Sequence, residues 1–425
     1  MHSTFKLKEQ SFLVYGLGLS GRSVIKFFEK NKIKNYKVWD DKRKKLFKKK
    51  RAKSLEETLI RVDYIVLSPG ISLLKKKNLN RFKKKIITDI DILYLTNKNF
   101  KSVVVTGTNG KSTTCKLIGH ILKKNKFRTS VGGNIGKPIL NLNIKKKSYV
   151  VIEASSFQLE HSKFIRPDYA LLLNITNDHL DWHGNVRNYT NSKLKIFLSQ
   201  KKNQYALLNG KLKKLFKKKK FISKLIIPKE KNYIKIKNKI NNYYLKLGIN
   251  DENMIFAYTL SKLFKISEKS FIAATNSFVG LSHRYEVFLK KKNIIFINDS
   301  KATSFESTKF ALSNSKNVYW ILGGLPKKND KFYLSKIKKN IIKCYLIGKD
   351  INFFHKQVKN KLNFSINKNL KKALKEIFKD IKFSRKKNNT ILLSPAAASY
   401  DQFINFEKRG EEFKKLSKIY ARKFI

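Results

Sequence analysis

Residues 102–113 constrain the fold of this chain most, because a run of β-branched residues ends there in a glycine turn that leads into Lys-Ser-Thr at 111–113. Residues 103–105 predict a buried strand and residues 115–124 predict a helix, so residues 107–110 form the turn between them. Backbone N–H groups in such a turn, with the positive end of the helix dipole, face an anion. A lysine there can reach the terminal phosphates of a nucleotide, and a serine hydroxyl can help to hold its Mg²⁺. The stretch therefore predicts a phosphate site in an α/β fold.

This stretch departs from the strict phosphate-loop pattern at one position. Val105 stands where the first glycine of G-x-x-x-x-G-K-[ST] belongs. A glycine-containing turn that binds no ligand is therefore the alternative interpretation. The order of strand, turn, lysine and serine favours the phosphate site, and the stretch favours ATP over GTP only weakly.

Length and composition bound the class of protein. At 425 residues the chain is too long for one ordinary core and suits two or three domains, of which we expect three. Its 41% hydrophobic and 12% aromatic residues are typical of globular proteins. The apolar runs are too short to span a bilayer, the N-terminus does not resemble a signal peptide, and Cys115 and Cys344 form no disulfide framework or zinc spacing. We therefore expect a cytoplasmic protein with no membrane partner.

The charge of the chain is unusual. Lysine and arginine number 95 against 29 aspartate and glutamate, a formal net charge of +66. Such a balance is typical of proteins that bind nucleic acid or an anionic membrane surface. However, the lysine runs are spread along the whole chain, and a codon bias towards A and T would also produce them. A solvated basic surface is therefore favoured, and we expect small-molecule substrates and no nucleic-acid partner.

The N-terminal region predicts a nucleotide-binding domain. Residues 11–40 have the pattern of a strand, a glycine turn, a helix and a second strand. The turn at residues 16–21 satisfies G-x-G-x-x-G, and the acidic residues 40–41 stand where a ribose-binding acid would. Alone this pattern indicates a dinucleotide, but the same turn can bind the pyrophosphate of any nucleotide, so a UDP-linked ligand is as consistent as NAD. A third strand at residues 64–67 leads to another glycine turn, at Gly70, on the same edge of the sheet.

Two strands of the central region end in polar residues. Residues 148–153 form an apolar strand that ends at Glu153, and residues 170–175 form a strand that leads to His179. Because α/β sites assemble at strand ends, Glu153 is a candidate Mg²⁺ ligand and His179 a second candidate functional group. A glutamate that caps the next helix and a structural histidine are the alternatives.

The rest of the central region is less informative. The glycine cluster at residues 132–136 is flexible enough to approach a ligand, although a plain loop explains it equally well. Residues 189–197 predict a helix, on which periodicity does not separate Lys193 from Lys195. Residues 211–247 are rich in Lys, Asn and Tyr and predict surface strands and turns.

A third α/β domain is predicted to start near residue 281, after a helix at residues 249–263 whose first turn carries amides. Polar or glycine turns follow its strands, which indicates a parallel sheet with one functional edge. The predicted strands are residues 293–297, 318–322, 345–347 and 390–393.

In this order the motifs resemble the Mur ligases over almost the whole chain. The motifs are residues 107–112, 132–136, 153–160, 177–181, 282–286, 298–303 and 393–403. Residues 153–160 and 394–403 resemble the members of the family that add D-glutamate. The resemblance implies three α/β domains. They are a Rossmann-like UDP-binding domain at residues 1–97, a central P-loop ATPase domain with a parallel sheet at residues 98–281, and a C-terminal Rossmann-like domain at residues 282–425.

The resemblance also implies an activity. ATP, with Mg²⁺, would phosphorylate the carboxylate of UDP-N-acetylmuramoyl-L-alanine, and the amine of D-glutamate would displace phosphate from the acyl phosphate, as in peptidoglycan precursor synthesis. Because two polyanions meet in such a site, Mg²⁺ and lysine side chains must neutralise phosphoryl oxygens. We further expect a monomer.

Roles follow residue by residue from the same resemblance. Lys111 would hold the phosphates, Ser112 and Glu153 would ligate one Mg²⁺, and His179 would ligate a second. Lys193 falls where the family carries a carbamylated lysine, and this choice between the two lysines is an analogy. The residues matched to ATP binding are Gly107, Thr108, Asn109, Gly110, Lys111, Ser112, Thr113, Asn250, Asn253, Arg284 and Asp299. Those matched to the UDP substrate are Leu19, Ser20, Asp41, Lys42, Gly70, Asn134 and His179. Those matched to D-glutamate are Lys301, Thr303, Ser399 and Phe406.

The chain departs from the family pattern in two places. Ile249 stands where some members have histidine, and Leu325 and Pro326 stand where others have an acid after the double glycine. The second departure leaves the role of Lys327 or Lys328 open.

Two other classes of protein compete with this interpretation. A nicotinamide-dependent oxidoreductase would explain the N-terminal glycine turn but leaves Lys111, Glu153 and His179 without a role. A nucleic-acid-dependent NTPase would explain the charge and the phosphate turn but not the N-terminal domain.

Overall fold

The computed structural model describes residues 7–43, 45–96, 99–134, 136–327, 330–333, 335–383, 386 and 388–424. The chain forms two compact units, residues 1–278 and 279–425. Two separate sheets lie in the first unit and one lies in the second. Among the described helices, none combines the length and the apolar character needed to cross a membrane. The α/β fold class predicted from the sequence is confirmed.

The first sheet carries the N-terminal glycine turn. Its strands are β1 Phe12–Tyr15, β2 Tyr36–Trp39, β3 Tyr64–Leu67 and β4 Ile86–Ile87, and its helices are α1 Leu19–Lys30, α2 Leu55–Arg61 and α3 Asp89–Leu95. The strands are parallel in the order β2-β1-β3-β4, and β1 is buried throughout. Gly16 leaves β1 with a φ of +95°, and a Cβ there would lie 2.7 Å from the Cβ of Ser68, so only glycine fits. The strands and turn predicted for this region are confirmed.

The second sheet has six parallel strands. They are β5 Phe100–Thr106, β6 Thr129–Gly133, β7 Ser148–Glu153, β8 Tyr169–Leu172, β9 Tyr205–Leu208 and β10 Lys224–Ile226. The order is β10-β9-β8-β5-β7-β6, which places β5 between β7 and β8. The phosphate turn after β5 therefore lies next to the strand ends that carry Glu153 and precede His179.

Nine α-helices of the described residues accompany the second sheet. They are α4 Lys111–Lys124, α5 Ser156–His161, α6 Leu180–His183, α7 Val186–Leu194, α8 Lys213–Lys218, α9 Glu230–Lys237, α10 Tyr243–Lys246, α11 Asp251–Leu263 and α12 Glu268–Asn276. The prediction of surface strands and turns at residues 211–247 is wrong, because α8 to α10 and one strand occupy that range. Phe216, Tyr233, Ile236 and Leu245 are buried, but the lysines and asparagines between them obscure the helical period.

Helix α3 connects the two sheets of the first unit. Asp91 is fully buried and accepts hydrogen bonds from the Ser162 hydroxyl and from the backbone N–H of Phe164, both at 2.7 Å. Asp89 accepts one from the Gln158 side chain at 3.0 Å. Buried polar groups are stable when they are hydrogen-bonded, so these contacts hold α3 against the end of α5. One hydrophobic core also contains residues of both sheets.

The second unit contains a mixed six-stranded sheet. Its strands are β11 Glu286–Lys291, β12 Ile294–Asn298, β13 Val318–Gly323, β14 Ile341–Ile347, β15 Phe364–Lys368 and β16 Asn389–Leu393, and its helices are α13 Phe305–Ser313, α14 Ile351–Val358, α15 Leu370–Lys382 and α16 Phe406–Phe424. The order is β11-β12-β16-β13-β14-β15. The four predicted strands are confirmed as β12, β13, β14 and β16. The parallel arrangement predicted for these four strands is confirmed. Strand β11 was not predicted, and it pairs antiparallel with β12 across a tight hairpin, whose Lys292 has a φ of +48°.

Candidate active site

The phosphate loop, which is the predicted phosphate turn at residues 107–110, joins β5 to α4. Gly107 and Gly110 have φ values of +155° and +81°, and α4 begins directly at Lys111. The Lys111 ammonium donates hydrogen bonds to the carbonyl oxygens of Gly107 at 2.9 Å and Thr108 at 2.7 Å. The lysine therefore lies over the loop, where it can meet an anion bound at the start of α4.

A second lysine reaches the same loop. Lys193, near the end of α7, is 1% exposed, and its Nζ donates to the carbonyl of Gly107 at 2.7 Å and lies 4.5 Å from the centre of the Tyr189 ring. Burial and then the positive charge of Lys111 lower the pKa of Lys193 to about 6. Lys195 instead forms an ion pair with a glutamate of α5 at 3.0 Å. The structure thus places Lys193, and not Lys195, against the phosphate loop.

Glu153 lies at the end of β7, opposite Val105 of β5. The side chain is buried, and its Oε1 accepts a hydrogen bond from the amide of Asn134 at 3.1 Å. Its Oε2 is also buried, and none of the described residues donates to it. A buried carboxylate oxygen without a partner is costly, so a bound cation would supply the missing interaction.

A magnesium ion fits these residues only together with other ligands. Ser112 is buried in the first turn of α4. No group of three or more His, Cys, Asp or Glu side chains in the described part of the chain is arranged to hold a metal ion alone. Mg²⁺ at nucleotide sites usually has one or two protein ligands besides phosphate oxygens and water. A serine hydroxyl and the buried oxygen of Glu153 are consistent with such a site.

His179 lies beside the loop through a shared tyrosine. Its backbone is left-handed, with a φ of +53°, and its ring packs 4.7 Å from Phe157 and 6.4 Å from Tyr189. The hydroxyls of Tyr189 and Thr108 are 2.9 Å apart. His179 is also 3.4 Å from the carboxylate of Asp178, and almost half of its side chain is exposed. This exposed position leaves it accessible to a ligand.

Asn250 and Asn253, two of the three asparagines matched to ATP binding, pack behind the loop. The Asn253 side chain accepts a hydrogen bond from the Thr114 hydroxyl of α4 at 3.0 Å and donates to Asn250 at 3.1 Å. Asn250 in turn donates to the carbonyl of Tyr244 at 2.7 Å. Both side chains are buried. They hold the start of α11 against α4.

Two residues of this region were missed by the sequence analysis. Asn174, just after β8, accepts hydrogen bonds from the loop N–H groups of Thr108 and Asn109 and donates to the carboxylate of Glu252 on α11. The position of Asn174 after a buried strand was a usable signal. No signal in the sequence singled out Glu252, because a glutamate in the first turn of a helix is ordinary.

Five of the seven residues matched to the UDP substrate follow strands β1, β2 and β3 of the first sheet. Leu19 and Ser20 begin α1, and Leu19 is 72% exposed. Asp41 accepts a hydrogen bond from the Tyr15 hydroxyl at 3.1 Å and forms an ion pair with Lys76 at 3.1 Å. A Cβ on Gly70 would meet no atom within 4 Å, so this turn is open. Lys42 is also exposed.

The remaining matched residues lie in the second unit. Asp299 is buried, and its carboxylate accepts hydrogen bonds from the Ser394 hydroxyl at 2.7 Å and the backbone N–H of Tyr285 at 3.1 Å. Burial raises the pKa of Asp299 to about 7.

The Lys301 ammonium lies 3.8 Å from the centre of the Phe406 ring. Ser399 is buried, Thr303 is partly buried, and Arg284 follows the αL residue His283. Lys328 lies outside the described residues.

A profile of the Mur ligase middle domain matches residues 105–275. A UDP-N-acetylmuramoylalanine--D-glutamate ligase of Rickettsia felis is 37% identical over 97% of this chain and 98% of its own length. The protein of that name in Buchnera aphidicola subsp. Schizaphis graminum is also 37% identical, over 96% of this chain and 98% of its own.

Solved structures share the fold at lower identity. The UDP-N-acetylmuramate-alanine ligase of Thermotoga maritima has a TM-score of 0.58 and 14% identity, over 97% of this chain and 100% of that one. The MurF ligase of Thermotoga maritima, solved in complex with ADP, has a TM-score of 0.57 and 17% identity, over 98% and 100%.

The chain belongs to the Mur ligase family. Its parallel central sheet, the phosphate loop after β5 and the match to the family's middle domain agree on this class. Within the family, it is similar over nearly its full length to the enzymes named UDP-N-acetylmuramoylalanine--D-glutamate ligase.

Proposed function

We propose that this protein is an ATP-dependent ligase that joins D-glutamate to UDP-N-acetylmuramoyl-L-alanine and releases ADP and phosphate. The observation that carries the proposal is the convergence of Lys111 and Lys193 on the carbonyl of Gly107, next to the strand that ends at Glu153. The full-length similarity to D-glutamate ligases supports the identity of the substrates.

The reaction would proceed in two displacements. An oxygen of the substrate carboxylate attacks the γ-phosphorus of ATP, and the bond from that phosphorus to ADP breaks. The amine of D-glutamate then attacks the acyl phosphate carbonyl, loses a proton and expels phosphate. Lys111 and the N–H groups at the start of α4 would neutralise phosphoryl oxygens, whose charge otherwise repels the incoming carboxylate.

Magnesium belongs to the same proposal. Ser112 and Glu153 would hold one ion, with the amide of Asn134 orienting the Glu153 carboxylate through its 3.1 Å hydrogen bond. His179 would hold a second. When bound, Mg²⁺ neutralises phosphate charge and polarises phosphoryl oxygens.

Lys193 is proposed to carry a carbamate. Only an uncharged amine reacts with CO₂, forming an N–C bond and releasing a proton. Burial and the nearby charge of Lys111 lower the pKa of Lys193 to about 6, so the amine is mostly uncharged at neutral pH. The resulting anion would offset the positive charge of Lys111.

The division of labour among three domains is part of the proposal. The region at residues 1–97 would bind UDP through Leu19, Ser20, Asp41, Lys42 and Gly70. The region at residues 98–281 would bind ATP. The region at residues 282–425 would bind nucleotide through Arg284 and Asp299, and D-glutamate through Lys301, Thr303, Ser399 and Phe406. The monomeric state and the cytoplasmic location remain predictions.

A phosphate-release assay tests this function. ADP and phosphate should appear only when ATP, UDP-N-acetylmuramoyl-L-alanine and D-glutamate are all present, and the amide product should appear in equal amount by mass spectrometry. Lys111→Ala should abolish turnover, whereas Lys123→Ala, an exposed lysine of the same helix, should not. An ATP hydrolysis rate that does not depend on UDP-N-acetylmuramoyl-L-alanine or D-glutamate would contradict the proposal. An unchanged rate in Lys111→Ala would show that Lys111 does not bind the phosphates.

A further inference from the structure

The phosphate loop is shaped by a side chain outside it. The Oδ1 atom of Asn174 accepts hydrogen bonds from the backbone N–H groups of Thr108 at 3.1 Å and Asn109 at 2.8 Å. The N–H of Thr108 also donates to the backbone carbonyl of Asn174 at 3.0 Å. Both loop N–H groups thus donate to Asn174, and the path of the loop into α4 depends on that residue.

The orientation of the Asn174 amide depends on Glu252. An amide has an acceptor end and a donor end, so it can bind in two ways. The Nδ2 of Asn174 donates to Oε2 of Glu252 and, at 3.3 Å, to the carbonyl of Asn109. Because an ionised carboxylate only accepts hydrogen bonds, Glu252 keeps the donor end towards itself and the oxygen towards the loop. A flipped amide would face the loop N–H groups with another donor.

Glu252 also binds a second amide. Its Oε1 accepts a hydrogen bond from Nδ2 of Asn209 at 2.9 Å, and Oδ1 of Asn209 accepts one from the N–H of Lys211 at 3.1 Å. That second bond fixes which end of Asn209 faces the glutamate. Two donors therefore converge on Glu252, and a carboxylate satisfies both of them.

We propose that Glu252 is a positioning residue of the nucleotide site, which sets the path of the phosphate loop through Asn174 and couples that loop to α11. The next residue, Asn253, contacts the loop at a second point, because a Cβ on Gly110 would lie only 2.2 Å from its Oδ1. Residues 108–110 are therefore held by adjacent side chains of one helix turn. This inference rests on the proposed nucleotide site but is independent of which acid and amine are joined.

The replacement Glu252→Gln tests this role. Glutamine has the same shape but offers one oxygen and one NH₂ group, so one of the two converging amides meets a donor. We expect the dissociation constant of ADP and the KM of ATP to rise about tenfold, the scale of a lost hydrogen bond to a charged group. The KM values of the other two substrates should not change. Glu230→Gln is the matched control, because Glu230 is an exposed glutamate in the first turn of α9.

A second experiment exchanges the amide and the carboxylate between positions 174 and 252. Asn174→Asp alone places two carboxylates face to face and should weaken ADP binding. In the double variant Asn174→Asp with Glu252→Gln, the aspartate can accept from the loop and the glutamine can donate to it while accepting from Asn209. We expect the double variant to bind ADP more tightly than either single variant.

Calorimetric titration with ADP separates this inference from the proposed function. A wild-type protein that binds ADP but forms no amide would contradict the function and leave the positioning role supported by the binding series. A Glu252→Gln protein that binds ADP within twofold of wild type would overturn the role. So would a variant that only unfolds at lower temperature while its folded fraction binds ADP normally.

Discussion

The buried Lys193 should make the free energy of unfolding increase with pH. Burial, aided by the charge of Lys111, lowers its pKa from 10.5 to about 6. Between pH 6 and about pH 10 the unfolded chain therefore carries a proton on this lysine that the folded chain does not. Because the unfolded state binds more protons, stability rises with pH in this window, by about 1.4 kcal/mol per pH unit from this group. Lys193→Met keeps a side chain of similar length and removes this contribution.

The difference between the two proteins is the quantity to measure. At pH 6.5 Lys193→Met should be more stable than wild type, because it buries no ionisable amine. That advantage should shrink by about 3 kcal/mol between pH 6.5 and 8.5, as wild type gains stability. Urea unfolding at three pH values would measure this difference in the free energy of unfolding. The buffer must be free of CO₂, because carbamylation would change the titrating group. Lys202→Met, at an exposed lysine, is the control and should follow wild type. Parallel profiles for wild type and Lys193→Met would refute the reasoning.

Two further predictions concern the loop and the second unit. Gly110→Ala forces a φ of +81° on a residue with a Cβ and displaces Asn253 from Thr114, so the free energy of unfolding should fall by about 2 kcal/mol and ADP should bind more weakly. Calorimetry measures both effects, and Gly210→Ala is the control because that position has room for a Cβ. The prediction is contradicted if Gly110→Ala is as stable, and binds ADP as tightly, as the control and the wild type. Asp299, with a pKa raised to about 7, retains a proton that the unfolded chain releases above about pH 4, so its contribution to stability is lost as pH rises towards 7. Asp299→Asn should lack this loss in thermal unfolding between pH 4.5 and 7.5, and an unchanged pH profile would contradict the assignment.

Much of the fold could be predicted from the sequence, because its signals are local. The β-branched run before Gly107, the glycine turn after β1 and the apolar strands before Glu153 and Asp299 are each contained within a few residues. Continuous apolar runs are typical of strands buried on both faces of a parallel sheet. Where lysines dilute the pattern, as in residues 211–247, the prediction failed. The hairpin of β11 was also missed, because strand direction depends on pairing across the sheet.

The sequence by itself determined the class of fold, the glycine turn between β5 and α4 and the family, since local periodicity and motif spacing carry that information. Periodicity did not separate Lys193 from Lys195, and only the family resemblance favoured Lys193. The tertiary structure separates them, because Lys193 is buried against the carbonyl of Gly107 whereas Lys195 pairs with a glutamate of α5. It also revealed the hydrogen bond from Asn174 to Glu252, although the two residues lie far apart in the sequence. Burial and hydrogen-bond partners depend on how distant strands and helices pack, and one sequence does not encode that packing in any local pattern.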